Sequence, residues 1–428
     1  MEIIRFLQLS DIHWTRQLEA VDDYTDIRDQ MLQDLDYYCK ETGNKFDKIL
    51  ICGDIAFSGA KEEYNRANKF IDDLCNTVNC KKDEVYTVPG NHDKNVNEIP
   101  KYLREFFHHA ISNQDKDSDW WWEKLIEEDF SFIKKLYTPF RNYNQFCNDE
   151  RDNVEPFMLK ALEDNINDYG NANMFWHSEF EEKLNGYEIN LYGVNSALIS
   201  DLKDYDPIPN RDRGHFLFLP KMAYHGAKIR DGIINILMCH HPLQFLINKD
   251  YIEKDLDKRY ALQLYGHVHI ANSDSKNNAV HVYSGSLNPG DINDETYKPV
   301  YNIIELSITK HDHDNDILNI DLHVRKYTGE CFEKDKQQSK PFQVYLKRHN
   351  KWQENLIKQI SPEFKLPNGV TKRDVRHMFK EHPQSKEIIK KLYPNIECNC
   401  SAYLRNQIFL EKIREENRWT ELYNMIKR

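Results

Sequence analysis

With 428 residues, 40% of them hydrophobic and 30% charged, the chain is long enough for two or three domains and too polar for a membrane protein; no apolar run reaches the ~20 residues a spanning helix needs. The net charge of −12 is uneven: residues 349–428 carry 16 basic and 10 acidic side chains, a local +6, against 42 and 60 elsewhere, which argues against DNA wrapped over the body and admits an acidic partner at the tail. Nine cysteines without regular spacing predict no disulfide scaffold and fit a reducing cytoplasm, and Cys398 and Cys400 lack the second pair a zinc site needs.

The first 93 residues alternate strands with helices. Ile3–Leu9 is a short apolar run that holds Arg5 and runs into Asp11, so it reads as a buried strand and not a signal peptide. Tyr24–Cys39 has helical spacing through Ile27, Met31, Leu35 and Tyr38. Lys48–Cys52 is a second buried strand, ended by Gly53; Tyr64–Leu74 reads as a helix; Glu84–Val88 is a third strand, stopped by Pro89 and Gly90. This order implies a largely parallel sheet covered by helices.

From Lys94 to about Gly186 the chain is rich in aromatic and acidic residues, with Trp120-Trp121-Trp122 prominent, and reads as a mainly helical insertion. Strand patterns return at Tyr187–Val194, Ile233–Cys239, Ala261–Tyr265, Val280–Ser284, Tyr301–Ile308 and Ile317–Arg325, and their close spacing suggests antiparallel pairing. After about Phe342 the pattern turns helical. Thr371 and Asp374 have capping-box-like spacing before Val375, Met378 and Phe379; Leu404, Ile408 and Ile413 form one stripe, and Trp419, Leu422, Tyr423 and Ile426 another. The predicted organisation is a domain over 1–345, with the insertion at about 94–186, and a small helical domain over 350–428. No internal repeat is evident.

Five segments share one design, with metal-ligand side chains just after a strand and beside a turn: Asp11-Ile12-His13, Gly53-Asp54, Gly90-Asn91-His92-Asp93, His240-His241-Pro242 and Gly266-His267-Val268-His269. Loops at the carboxyl ends of sheet strands converge on one crevice. Carboxylate, imidazole and amide oxygen together suit borderline divalent metals such as Mn, Fe or Zn. In the D-x-H and H-x-H pairs, residues two apart on an extended chain point to one side, so each pair can face one centre. A single carboxylate can bridge two ions, and Asp54 is placed for that. Each segment alone is equally well a turn or a strand end; the five together, in order, are not. His108-His109 reads as a solvated helix face, His311 and His313 as part of a hairpin turn, and the tryptophan run as packing.

The set D-x-H, G-D-x-x-x-x-G from Gly53 to Gly59, G-N-H-D, H-x-P and G-H-x-H resembles the calcineurin-like metallophosphoesterase superfamily. Asn195-Ser196-Ala197 and Ser284-Gly285-Ser286 resemble its bacterial cyclic-nucleotide phosphodiesterase-like branch. The resemblance implies a four-layer α/β/β/α sandwich of the α/β class. It implies one metal held by Asp11, His13, Asp54 and His269, and another held by Asp54, Asn91, His240 and His267, with manganese favoured. It places His92 beside them against the phosphate as the catalytic residue, and leaves His241 a supporting role. The implied activity is hydrolysis of a phosphodiester or phosphomonoester, nucleotide-like substrates included, by a metal-bridged hydroxide attacking phosphorus in line. A nuclease acting on short or single-stranded nucleic acid is the alternative within the superfamily. The tail resembles small helical adaptor modules of the death-like kind, which implies a protein partner; a buttress packed on the enzyme is the other reading. No membrane association is expected.

Overall fold

The computed structural model describes residues 2–15, 24–43, 45–98, 135–150, 175–200, 217–288, 298–311, 315–346, 366–367, 370, 374–375, 378–379, 382–393, 409–410, 412–413, 416 and 418–427. The chain divides into two compact units, one of Met1–Met158 with Met174–Arg348 and one of Leu159–Asn173 with His349–Arg428.

In the first unit, the strand β1 (Ile4–Leu9) is buried at every position. Such a run suits a strand covered on both faces. It pairs in parallel with β2 (Lys48–Ile51), which pairs in parallel with β3 (Val85–Thr87). The helices α1 (Thr25–Thr42) and α2 (Lys61–Val78) make the crossovers. Their apolar stripes, Ile27, Met31 and Leu35 on α1 and Ala67, Ile71 and Leu74 on α2, are buried in the common core. Gly43 closes α1 in the left-handed conformation, at φ 63°.

The second sheet begins with β4 (Phe175–Glu179), antiparallel to β5 (Glu188–Val194). β5, β6 (Ile233–Cys239), β7 (Leu262–Tyr265) and β9 (Ala279–Tyr283) run parallel, and β8 (Asn272–Lys276) closes the far edge antiparallel to β9. The centre of this sheet therefore departs from the antiparallel expectation. The helix α4 (Lys249–Arg259), which follows α3 (Arg141–Glu150) in the chain, lies between β6 and β7 in sequence, and a helical crossover returns the chain parallel. The stretch expected to be helical up to about Gly186 also ends in a strand. On β4, Trp176 is buried flat against Gly193, where a Cβ would collide with the indole.

The first sheet is completed by β10 (Val300–Thr309), antiparallel to β1, then β11 (Asp316–Tyr327), with β12 (Phe332–Lys334) and β13 (Lys340–Leu346) both on β11. Among the described residues this makes sheets of seven and six strands. One hydrophobic core includes Phe6, Ile49 and Ile303 from the first and Leu191, Met238 and Leu264 from the second. Trp176 Nε1 donates to Thr87 O at 3.0 Å, which ties the sheets together beside that core. α4 docks on the second sheet through Asp257, which accepts from Gln263 on β7 at 2.9 Å and pairs with His281 on β9 at 2.9 Å. Helices, two sheets and a helix make the four-layer sandwich.

The second unit has its own apolar core. Val375, Phe379, Phe409 and Ile413 pack with Ile388, Ile389 and Leu392 of α5 (Ser385–Leu392) and Trp419 and Leu422 of α6 (Trp419–Ile426). Arg418 pairs with Glu421 at 2.8 Å and lies 4.8 Å over the Tyr393 ring. Thr371, Leu404, Ile408, Cys398, Cys400, His108, His109, His313 and Trp120 to Trp122 lie outside the described residues.

Candidate metal centre

The parallel strands deliver their carboxyl-end loops to one place. The loop after β1 runs alongside the loop after β2: Asp11 N donates to Gly53 O, His13 N to Asp54 O and Trp14 N to Ile55 O, at 3.0, 3.0 and 2.9 Å. The expectation of extended D-x-H and H-x-H pairs is replaced by a different backbone. Asp11, His13, Asp54, His267 and His269 all have positive φ, between 51° and 71°. Left-handed geometry at a non-glycine residue costs about 1–2 kcal/mol. Five such residues in one cluster mark a strained site held in place by its surroundings.

The eight residues expected at the site come together. Asp54 Oδ2 lies 3.3 Å from Nε2 of His13 and 3.3 Å from Nε2 of His240, so one carboxylate oxygen stands between the two halves of the cluster. Its other oxygen accepts the His92 backbone N–H at 2.8 Å. In the first half, Asp11 Oδ1 is 3.2 Å from His269 Nε2. In the second, His240 Nε2 is 3.2 Å from Asn91 Oδ1 and its ring centroid is 5.2 Å from that of His267. His92 is half-exposed at the opening. Its ring nitrogen Nδ1 lies 2.7 Å from Phe57 O, which leaves Nε2 for the crevice.

A surrounding layer fixes these groups. His13 Nδ1 meets Asn288 O at 3.0 Å and His240 Nδ1 meets Cys52 O at 2.7 Å, so both rings turn Nε2 inward. Ser10 Oγ donates to Asp11 Oδ2 at 2.5 Å, and His267 N donates to the same oxygen at 3.0 Å. Asp93 accepts backbone N–H groups from Ile55, Ala56 and Gly90, which clamps the loops after β2 and β3. Lys94, itself buried, donates to Leu198 O and Ser200 O, both at 2.8 Å, and anchors the loop after β5. Asp93 closes the G-N-H-D motif, but no sequence pattern marks it as a clamp; Lys94, Asn288 and Phe57 carry no functional signal beyond their nearness to the motifs.

Charge follows the geometry. Burial raises the Asp11 and Asp54 carboxyls, but the imidazoles facing them, His269 and His240 first, outweigh it and hold both well below the usual carboxylate range. Burial and the neighbouring Asp54 push Asp93 up to about 6. Burial, then His240, pulls His267 down to about 3, and burial with His267 and His240 pulls His241 well below the usual range. Burial opposes charge on His240, but Asp54 outweighs it and raises that ring to about 9, so His267 and His241 are already the neutral ligands that metal binding requires and a cation would displace the His240 proton.

The donors also fit a cation in their contacts. Asp11 Oδ1 is fully buried and makes no hydrogen bond of acceptable geometry, although His269 Nε2 is close by. Ligand atoms of Asp11, His13 and His269 lie within 4.8 Å of one another, as do those of Asp11, Asp54 and His240 and those of His240, His241 and His267. Buried polar atoms rarely go without partners, and an unpartnered Asp11 oxygen among imidazole nitrogens is what a bound ion satisfies. His311 lies elsewhere, in the turn between β10 and β11, where its N–H donates to Asp316.

Apolar groups rim the opening. Phe57 is 50% exposed while its ring sits 5.2 Å from that of His92 and 6.1 Å from that of His13. Phe245 stands edge-on to His267 at 4.6 Å. No helix among the described residues is long and apolar enough to cross a membrane.

The model of the calcineurin-like phosphoesterase family matches residues 4–271, more than half of the chain. An uncharacterized metallophosphoesterase-like protein of Bacillus subtilis, YydB, is 24% identical over 322 residues; the match takes in 71% of this chain and 57% of that protein, so the chain spans little more than half of its relative's length. Among solved structures, the calcineurin-like phosphoesterase YfkN from Bacillus subtilis aligns with 13% identity and a TM-score of 0.33, covering 83% of this chain and 96% of that one. A putative 5'-nucleotidase from Staphylococcus aureus aligns with 9% identity and a TM-score of 0.35, covering 82% and 55%.

Proposed function

The chain belongs to the calcineurin-like phosphoesterase family, and we propose that it is a phosphoric ester hydrolase working with two divalent metal ions. The observation that carries this reading is the position of Asp54 Oδ2, 3.3 Å from His13 Nε2 and 3.3 Å from His240 Nε2. Asp11, His13, Asp54 and His269 would hold one ion, and Asp54, Asn91, His240 and His267 the other, with manganese the first metal to try. Bound there, two such cations would lower the pKa of water and offset charge on the phosphoryl oxygens.

The protein's own groups do the rest. His92 is the catalytic residue in this reading. The contact of Nδ1 with Phe57 O and the N–H donated to Asp54 orient it, and its free Nε2 reaches a substrate oxygen at the opening. From there it donates a hydrogen bond to the phosphoryl group or passes a proton to the departing alkoxide. Asp93 and Lys94 keep the loops in register. The apolar rim of Phe57 and Phe245 supports a phosphodiester with an organic group on either side over a small monoester.

A second reading rests on the separate core of the tail unit, in which Phe379, Phe409 and Leu422 are fully buried. In it the chain is also an interaction protein that meets a partner through residues 349–428. A nuclease acting on short single strands is the alternative within the enzyme class. Cys52, Cys75, Cys80, Cys147 and Cys239 are buried and in no disulfide, which supports a cytoplasmic protein. The test is a screen of the manganese-loaded chain against cyclic nucleotides, model diesters, monoesters and single strands. Hydrolysis of diesters supports the reading, and inertness towards every phosphoester rejects it.

A further inference from the structure

We infer that His241 is a third imidazole donor in the second half of the centre, and that this half is built for zinc or a similar borderline ion while the first half keeps the more manganese-like donor set. The inference rests on the two-metal reading above. Its basis is the arrangement around a histidine that the family motif leaves unassigned.

His240, His241 and His267 form a compact triangle. Their ring centroids are 4.7, 4.5 and 5.2 Å apart in pairs, and their ligand atoms lie within 4.8 Å of one another. His241 is fully buried, and its Nε2 has no hydrogen-bond partner. A metal-ligating histidine almost always donates its other ring N–H to a fixed acceptor. His13 and His240 have that acceptor in Asn288 O and Cys52 O. His241 has it in Ser196 Oγ, 2.9 Å from its Nδ1.

Ser196 supplies an acceptor for a proton on Nδ1. Cys239 Sγ donates to His241 O at 3.3 Å. Ser196 Oγ accepts the His241 backbone N–H at 3.1 Å. A second lone pair of Oγ is open to Nδ1–H of His241. With Nδ1–H turned to Ser196 Oγ, as a metal-ligating histidine turns its other ring N–H to a fixed acceptor, the lone pair is on Nε2. That lone pair is buried among two other imidazoles.

The two halves then differ in chemistry. The first has two imidazoles with Asp11 and the shared Asp54. The second has three imidazoles with Asn91 and the shared Asp54. Imidazole suits zinc, iron and nickel, whereas carboxylate-rich sets suit manganese and magnesium.

The test is zinc-edge X-ray absorption on the full chain given one equivalent of zinc with excess manganese, together with zinc competition titrations of wild type, His241→Ala and Ser196→Ala. Three imidazole nitrogens around zinc are expected in the wild type. His241→Ala is expected to weaken zinc binding by about 100-fold or more and to leave manganese binding in the other half unchanged. Ser196→Ala, which removes the acceptor of Nδ1 and of the His241 backbone N–H, is expected to cost about 10-fold, the low end for such partners. Two imidazoles around zinc in the wild type overturn the inference, as does unchanged zinc affinity in His241→Ala. The absorption measurement needs no variant, so it decides even if His241→Ala does not fold. A chain that binds neither metal sinks the two-metal reading too, whereas zinc held by two imidazoles sinks this inference alone.

Discussion

Gly90 packs its backbone against the carboxylate of Asp54 so tightly that a Cβ at position 90 would collide with Oδ1 and lie only 2.7 Å from the Asp54 backbone nitrogen. The glycine of the G-N-H-D segment is thus a spacing device for the carboxylate between the two halves of the centre. Gly90→Ala must displace Asp54 or the loop carrying Asn91 and His92. A displacement of about 1 Å at a reacting centre costs on the order of 10²-fold in rate. Gly90→Ala is therefore expected to lose at least that much kcat. Gly226→Ala is the control, because its Cβ would meet Phe175 at an ordinary 3.5 Å. Equal activity in the two variants would contradict the spacing argument.

His92→Ala is expected to lower kcat by about 10²–10⁴-fold, the range for acid–base and charge-stabilising groups. Metal content should stay at the wild-type level, since His92 is the half-exposed member of the cluster and its Nδ1 already faces Phe57 O. Activity and metal content measured on one preparation check both halves of the statement. Joint loss would make His92 a ligand or a prop.

His281 gives the sandwich a pH-dependent joint away from the centre. Burial opposes its charge, but hydrogen bonds to Asp257 and Asp274 overcome that and raise its pKa from 6.5 to about 9. The folded-state value is the higher one, so the stabilisation is complete below about pH 6.5 and fades as pH rises through 9. Melting temperature should fall between those values in the wild type. His281→Gln should be less stable at pH 6 and should flatten that slope. A slope unchanged by the substitution would contradict the account.

Deleting residues 349–428 separates the two readings of the tail. An interaction module predicts that the truncated chain still hydrolyses a small diester and loses a protein partner or self-association in a low-salt pull-down, where a +6 segment is least screened. A buttress predicts an insoluble product or a lower melting temperature. Turnover and melting temperature on the same preparation decide between them.

Much of this architecture was legible because burial writes itself into composition. β1, β2, β6 and β7 are apolar runs ended by polar or glycine residues, and the candidate ligands follow those ends. β8 and β12 were not legible: they are edge strands with mostly exposed residues, so no apolar pattern marks them. The parallel centre of the second sheet had a signal, since Ile233–Cys239 is apolar at every position but Asn235 and does not alternate. The left-handed backbone at Asp11, His13, His267 and His269 had none, because residues with a Cβ do not advertise positive φ. The resemblance leaves His241 a supporting role, and nothing in the sequence shows that its Nε2 is buried. That the nitrogen is buried and unpartnered emerges only when Ser196 is brought beside Nδ1 by the loop after β5.

The central claim is that hydrolysis needs the metals gathered about Asp54. The most direct measurement is phosphodiester turnover by wild type and Asp54→Ala, each stripped with chelator and then titrated with manganese, with bound metal quantified at every step. The account predicts no turnover by the stripped wild type, recovery as two ions bind per chain, and neither recovery nor full metal loading in Asp54→Ala. Full turnover by metal-free protein, or by Asp54→Ala, would contradict it.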